Sequence, residues 1–196
     1  MSNLAIYEAY ESMGADNDNS TNNTWQTIFR PGLFKGKVAL VTGGGTGIGY
    51  AITKELATLG CTVVIASRNH DRCVEAAKEL NAELKRAKIQ PVGTVHAGPS
   101  TSIRDEKQIK ELVKFVITNF GALDLLVNNA GGQFLSPAED INRKGFAAVV
   151  ETNLVGTFLV CREAYTQYMR DNGGSIVNIT LGNRNGTSSL VSSSRA

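Results

Sequence analysis

Twelve residues constrain this chain more than any others: Val38-Ala-Leu-Val-Thr-Gly-Gly-Gly-Thr-Gly-Ile-Gly49. An apolar run stops at a glycine cluster, and apolar residues then return at helical spacing as Ile48, Ile52, Leu56 and Leu59. The pattern predicts a buried strand over Val38 to Val41, a tight turn at Gly43, Gly47 and Gly49, and a helix that begins inside the turn. Such a helix aims its unpaired first N–H groups and the positive end of its dipole above the strand, which suits a pyrophosphate.

The same alternation continues along the chain. Thr62 to Ala66 is a second β-rich run, and Val74, Ala77, Leu80 and Leu84 give one apolar face to a helix from Asp71 to about Lys85. Pro91 to His96 is a weaker third strand. Asp105 to Phe120 is an amphipathic helix closed by Gly121, and Leu123 to Val127 is a fourth strand that stops at Asn128-Asn-Ala-Gly131. A long helix from about Arg143 to Met169 puts Phe146, Val149, Val150, Leu154, Phe158, Cys161 and Tyr165 on its apolar side, and Ser175 to Ile179 is a fifth strand.

Strand and helix in strict alternation imply an α/β fold, a Rossmann-type doubly wound parallel sheet with right-handed crossovers. The sheet is expected to stop after about the fifth strand, leaving it an exposed edge. Residues 31–180 form this domain. Residues 1–30, polar and Asn-rich, are expected to be a flexible extension, and the Gly, Asn, Ser and Thr of 181–196 a tail that cannot bury enough surface to order itself.

Bulk properties exclude several function classes. A net charge of +2, with its cations scattered, offers no footprint for nucleic acid. The three cysteines, Cys61, Cys73 and Cys161, are far apart and set among apolar residues, as small core residues of a reducing compartment are. The only two histidines, His70 and His96, have no metal-ligand spacing. No stretch reaches the roughly 18 consecutive apolar residues of a membrane span, so none is expected.

In a doubly wound sheet the ligand crevice lies outside the carboxyl ends of the strands. The residues there are Gly43 to Gly49 with Thr46 and Ile48, then Ser67-Arg68, then the segment near Ser102, then Asn128 to Gly131, then Thr180. A carboxylate about 20 residues past the glycines would hold a ribose 2′-hydroxyl and repel a 2′-phosphate. Here the position carries Ser67 and Arg68, and a guanidinium pairs a phosphate bidentately, which predicts NADPH over NADH.

Thr42-Gly-Gly-Gly-Thr-Gly-Ile-Gly49, Asn128-Asn-Ala-Gly131 and Glu151-Thr-Asn153, in this order, resemble the short-chain dehydrogenase/reductase family. The resemblance implies that Gly43, Thr46, Gly47, Ile48 and Gly49 hold the cofactor phosphates, and that Asn129, Ala130 and Gly131 pack beside the cofactor. It gives Asn153 a part in a proton relay. A narrower likeness, in Gly131 to Glu139, Glu151 to Phe158 and Val63 to Arg68, is to the peroxisomal trans-2-enoyl-CoA reductases, with the dienoyl-CoA reductases as the nearest alternative. It implies an acyl-CoA substrate, NADPH-dependent reduction of its 2,3 double bond to a saturated acyl-CoA in fatty acid metabolism, and residence in peroxisomes.

Two departures qualify that expectation. Around His96-Ala-Gly-Pro-Ser-Thr101 the chain is a few residues longer than the family pattern, and the polar residue expected beside adenine becomes Ser102. The family's catalytic Tyr and the Lys four residues after it should both follow the fifth strand, where the Lys lowers the Tyr pKa. No Tyr occurs after Tyr168, and neither Tyr165 nor Tyr168 has a Lys at that distance. The chain therefore reads as the cofactor-binding half of such an enzyme, inactive as written, with only part of the family's oligomer interface. Its Ser194-Arg195-Ala196 end is not of the Ser-Lys-Leu type, which leaves cytosol as an alternative location.

Overall fold

The computed structural model describes residues 27–86, 92–133, 135–180 and 191–192. The expected extension over residues 1–30 and the tail over 181–196 therefore lie almost wholly outside the described residues. In chain order the elements are β1 (Val38–Thr42), α1 (Gly47–Thr58), β2 (Thr62–Ala66), α2 (His70–Arg86), β3 (Thr94–Ala97), α3 (Glu106–Phe120) and β4 (Leu125–Asn128). Then come a two-residue β5 (Leu135–Ser136), a 30-residue helix α4 (Arg143–Asn172), β6 (Ser175–Asn178) and a two-residue β7 (Val191–Ser192).

Five strands form one sheet in the order β3-β2-β1-β4-β6, every neighbouring pair parallel. The chain fills the β2 and β3 side of β1 first and then crosses to β4 and β6, so the strand order reverses between β1 and β4. All five residues of β1 are buried, as a central parallel strand covered on both faces must be. Side chains alternate across it: Val38 and Leu40 join Val64 and Leu126 against α3 and α4, through Ile109, Leu112, Val116, Val160 and Ala164. Ala39 and Val41 join Val63 and Ile65 against α1 and α2, through Ala57, Cys73, Leu80 and Leu84. Each of the larger side chains contributes about 1.5–3 kcal/mol of apolar burial.

Local chemistry sets the helix ends. The Asp105 carboxylate accepts from the Gln108 N–H to cap α3, Gly121 closes that helix at φ 77°, and the Asn142 side chain caps α4 through the Gly145 N–H. Asn81 of α2 donates to the Val95 carbonyl (2.7 Å) and accepts from the Val95 N–H (2.9 Å), so a side-chain amide occupies backbone groups of the edge strand β3.

Three expected apolar faces differ in part from those observed. Ile48 is 65% exposed, whereas Leu59 is buried and Ile52 and Leu56 pack against the core as expected, beside Gly49, Thr53 and Ala57, small residues four apart that bring the helix close to the sheet. Val74 of α2 is exposed, its place in the core being taken by Cys73 and Ala76. On α4, Phe146, Leu154, Phe158 and Tyr165 are exposed, while Val149, Gly156, Val160, Ala164 and Met169 face inward. Two π-helical stretches, Glu151–Gly156 and Tyr165–Met169, shift the register of that helix, and a β-carbon on Gly156 would sit 2.6 Å from the Ile103 carbonyl oxygen. Small residues thus mark the side that approaches its neighbours.

Two further expectations are revised. Val191–Ser192 pairs antiparallel with Leu135–Ser136, so part of the 181–196 tail does take up structure. The helix Arg143–Asn172 is also long and apolar enough to cross a membrane by length and composition, with mean hydropathy 1.3 over its best window. It packs on the sheet through Val160, Ala164 and Met169. β6 is exposed along its whole length, and no described strand lies beyond it, as expected for an edge.

Candidate functional site

The carboxyl ends of β1 and β4 meet where the strand order reverses, and their two turns are bonded to each other. The Thr42 hydroxyl, in a residue 2% exposed, accepts the N–H groups of both Asn129 and Ala130 at 3.1 Å. The Asn129 amide returns the contact by donating to the carbonyls of Thr42 (3.1 Å) and Gly43 (3.2 Å). Gly43 and Gly47 have φ of 68° and 52°, left-handed values that favour glycine. A β-carbon on Gly49 would stand 2.3 Å from the Gly43 carbonyl oxygen and 2.4 Å from Asn129 Nδ2. The backbone itself fills that space.

Above this turn the amino end of α1 is exposed at Thr46, Gly47 and Ile48. Thr46 precedes the helix without a side-chain capping bond, and no acidic residue occupies the first turn. The first N–H groups of α1 therefore lack the carboxylate or amide caps of α3 and α4, and the open space beside Gly47 fits a group that supplies negative oxygens from outside.

Twenty residues on, the end of β2 opens into a cleft of about 700 Å³ lined by Ser67, Arg68, Asn69, His70, Asp71 and Ser100. The Ser67 hydroxyl donates to the Asn69 carbonyl at 2.9 Å, and Asn69 Oδ1 accepts from the Arg72 N–H, starting α2. The Arg68 side chain is exposed and forms no ion pair among the described residues, while its carbonyl accepts from the Ser100 hydroxyl at 2.9 Å. The Ser102 N–H donates to Gln108 Oε1 at 2.8 Å.

Asn153 lies in the first π-helical stretch of α4, and its side chain makes two bonds to one backbone unit: Nδ2 donates to the Gly132 carbonyl (2.9 Å) and Oδ1 accepts from the Gly132 N–H (3.0 Å). A β-carbon on Gly131 would come within 2.9 Å of Asn153 Oδ1. Asn128 donates to Asn178 Oδ1 (2.9 Å) and contacts Cys161 Sγ (3.1 Å), tying β4 to β6 and α4. Its own Oδ1 is the one buried side-chain polar atom without a partner among the described residues. The predicted residues thus gather along one rim of the sheet, with Gly43 to Gly49 and Asn129 to Gly131 adjoining, Ser67 and Arg68 on one flank and Asn153 on the other.

One spacing escaped the sequence reading. Tyr50 has a Lys at the fourth following position, Lys54, and both lie on α1. Lys54 is ion-paired to Glu83 of α2 at 2.5 Å. Burial, then the charges of Glu83 and Glu79, push the Tyr50 phenol above its ordinary pKa. That is the reverse of what a cationic neighbour does for an acid catalyst. The pair holds two helices together. Among the described residues no cluster of three His, Cys, Asp or Glu is placed to hold a metal.

A parallel sheet whose order reverses beside a glycine turn and an uncapped helix end defines a dinucleotide-binding class of α/β protein. This chain belongs to the short chain dehydrogenase family, whose profile matches residues 37–190. It is 38% identical over 164 residues to a Danio rerio protein named peroxisomal 2,4-dienoyl-CoA reductase, covering 83% of this chain and 52% of that one. An Arabidopsis thaliana protein of the same name is 33% identical over 161 residues, covering 78% of this chain and 51% of its own length. Among solved structures, the citronellol catabolism dehydrogenase AtuB of Pseudomonas aeruginosa PAO1 superposes with a TM-score of 0.72 at 42% identity, over 80% of this chain and 60% of that one. A xylitol dehydrogenase solved with NAD+ bound gives 0.67 at 30% identity, over 76% of this chain and 54% of that one. The chain spans about half the length of the curated relatives it matches.

Proposed function

We propose that this chain is the NADPH-binding portion of a reductase acting on a double bond conjugated to a coenzyme A thioester. The observation that carries the cofactor reading is an uncapped α1 end together with an Arg68 at the β2 cleft that forms no ion pair among the described residues. Gly43, Thr46, Gly47, Ile48 and Gly49 would receive the pyrophosphate, Ser67 and Arg68 the 2′-phosphate, and Asn129, Ala130 and Gly131 would border the nicotinamide side. Bound there, the cofactor supplies a hydride. Asn153 holds Gly132 in place, and with it the loop that leads away from the β4 turn.

The acyl-CoA class is supported by the names of the curated relatives, which are dienoyl-CoA reductases. The Gly131 to Glu139 and Glu151 to Phe158 stretches point instead to a trans-2-enoyl-CoA, reduced to its saturated acyl-CoA. Full-length relatives assayed with both substrate types decide between the two. The 196-residue chain, with no Tyr-x-x-x-Lys after β6, is proposed to bind cofactor without turnover. Measurable NADPH oxidation with either substrate would contradict that. The relatives' names also support a peroxisomal site. A fluorescent fusion at the amino end tests it, and diffuse cytosolic signal would count against it.

Replacing Arg68 with Ala is the direct test of the cofactor reading. Loss of a charge-assisted bidentate contact costs about 1–3 kcal/mol, roughly a ten- to hundredfold loss of NADPH affinity. NADH binding should hardly change. An unaltered preference between the two would refute the role given to Arg68.

A further inference from the structure

The cleft at the end of β2 contains a nitrogen base that the cofactor reading does not use. His70 opens α2 two residues after Arg68, and its Nδ1 lies 2.9 Å from the Gly98 carbonyl oxygen. A carbonyl only accepts, so Nδ1 carries the proton and donates. That fixes the tautomer and leaves Nε2 as the atom that takes a second proton. Taking it breaks no existing bond, because Nδ1–H donates to Gly98 in both charge states.

The loop that follows β3 also borders the cleft, through Ser100. Within it the Ser100 hydroxyl donates to the Arg68 carbonyl and the Thr101 N–H to the Ser67 carbonyl, both at 2.9 Å. His70 thus joins α2 to the same loop that holds Arg68. The charged groups lining the cleft are Arg68 and Asp71. Residues 98–103 of that loop contribute none, and Arg72 of α2 is engaged by Glu75 and Glu79. The cleft therefore holds the Arg68 guanidinium, the Asp71 carboxylate and one base able to become a second cation.

We propose that His70, as an imidazolium anchored through Nδ1 on Gly98, is a second ligand of the adenosine 2′-phosphate, making the preference for NADPH depend on pH. This rests on the assignment of the β2 cleft to that phosphate. Binding a phosphate favours the charged imidazole over the neutral one, so the His70 contribution grows as the pH falls.

His70→Asn separates charge from positioning, since the Asn amide can still donate to Gly98 but cannot carry a charge. NADPH and NADH are titrated calorimetrically into the wild-type chain, His70→Asn and Arg68→Ala at about pH 6 and about pH 8, with circular dichroism checking the fold of each. Comparing wild type with His70→Asn at one pH cancels the titration of the phosphate itself. Wild type should bind NADPH roughly three- to tenfold more tightly than His70→Asn at the lower pH. That ratio should approach one at the higher pH, with NADH affinities alike throughout. If Arg68→Ala abolishes the preference while His70→Asn tracks wild type at both pH values, this inference is overturned and the cofactor reading stands. If Arg68→Ala leaves the preference intact, the cofactor reading falls and takes this inference with it.

Discussion

Thr42→Val removes one oxygen at nearly constant shape from the point where the β1 and β4 turns are joined. The hydroxyl accepts two backbone N–H groups, those of Asn129 and Ala130, each at 3.1 Å, inside a residue that is 2% exposed. Leaving a buried donor without a partner costs about 1–3 kcal/mol. Both turns reach the sheet rim, where water relieves part of this, so the sum is about 2–4 kcal/mol. For a chain of this size that lowers the melting temperature by roughly 4–16 °C. The control is Thr58→Val on α1, an equally buried threonine whose hydroxyl donates to the Lys54 carbonyl one turn earlier. Its removal orphans no donor, because that carbonyl is already engaged by the helix ladder, and should cost under about 1 kcal/mol. Urea unfolding followed by far-ultraviolet circular dichroism measures both. Equal midpoints for the two variants would refute the view that Thr42 matters as an acceptor.

Three other outcomes follow from features described above. Gly49→Ala places a methyl 2.3 Å from a backbone carbonyl and should cost about 1–3 kcal/mol or more, whereas Gly44→Ala meets mainly the Ile65 side chain; comparing their thermal unfolding tests whether the rigid neighbour makes the difference. His96 is held below its ordinary pKa by burial. The unfolded chain therefore binds that proton first, and stability falls as the pH drops from about 6.5 through the folded value; His96→Phe should flatten that limb of a stability–pH profile. Burial and the nearby Asp124 charge push the Cys61 thiol up to about 12. Iodoacetamide at about pH 8 should label partly exposed Cys161 well before Cys61, and mass mapping that finds the reverse order would contradict the burial argument.

The strands were legible in the sequence because β1 is apolar throughout and glycines punctuate its end, and parallel pairing followed from strand–helix alternation, whereas alternation does not fix the order of the strands. Less legible were helix faces built from small residues. Gly49, Thr53 and Ala57 of α1, and Gly156 of α4, carry little hydrophobicity, yet they are where backbones approach most closely. On α4 two π-helical stretches break the regular 3.6-residue repeat, and Phe146, Leu154 and Phe158 face outward. Of the candidate site, the placing of the glycine turn, Arg68 and the Asn128 to Gly131 turn at the carboxyl ends of strands could be read from residue type and position. The contacts of Ser100 and His70 could not, because serine and histidine bonds to distant carbonyls leave no periodicity. Tyr50 and Lys54 show the opposite hazard, a spacing that has the right letters on the wrong element.

The two borders of the sheet differ in what they offer another chain. At β3 the Val95 N–H and C=O are taken by the Asn81 amide, whereas β6 is exposed along its length with no described strand beyond it. Continuous growth by strand pairing requires each added molecule to present a fresh border opposite the one it used. At the opposite border the Asn81 amide already occupies the Val95 pair, so a second copy adding there would find that N–H and that C=O engaged. A single asparagine on a neighbouring helix thereby makes β3 a poorer template for strand addition than β6.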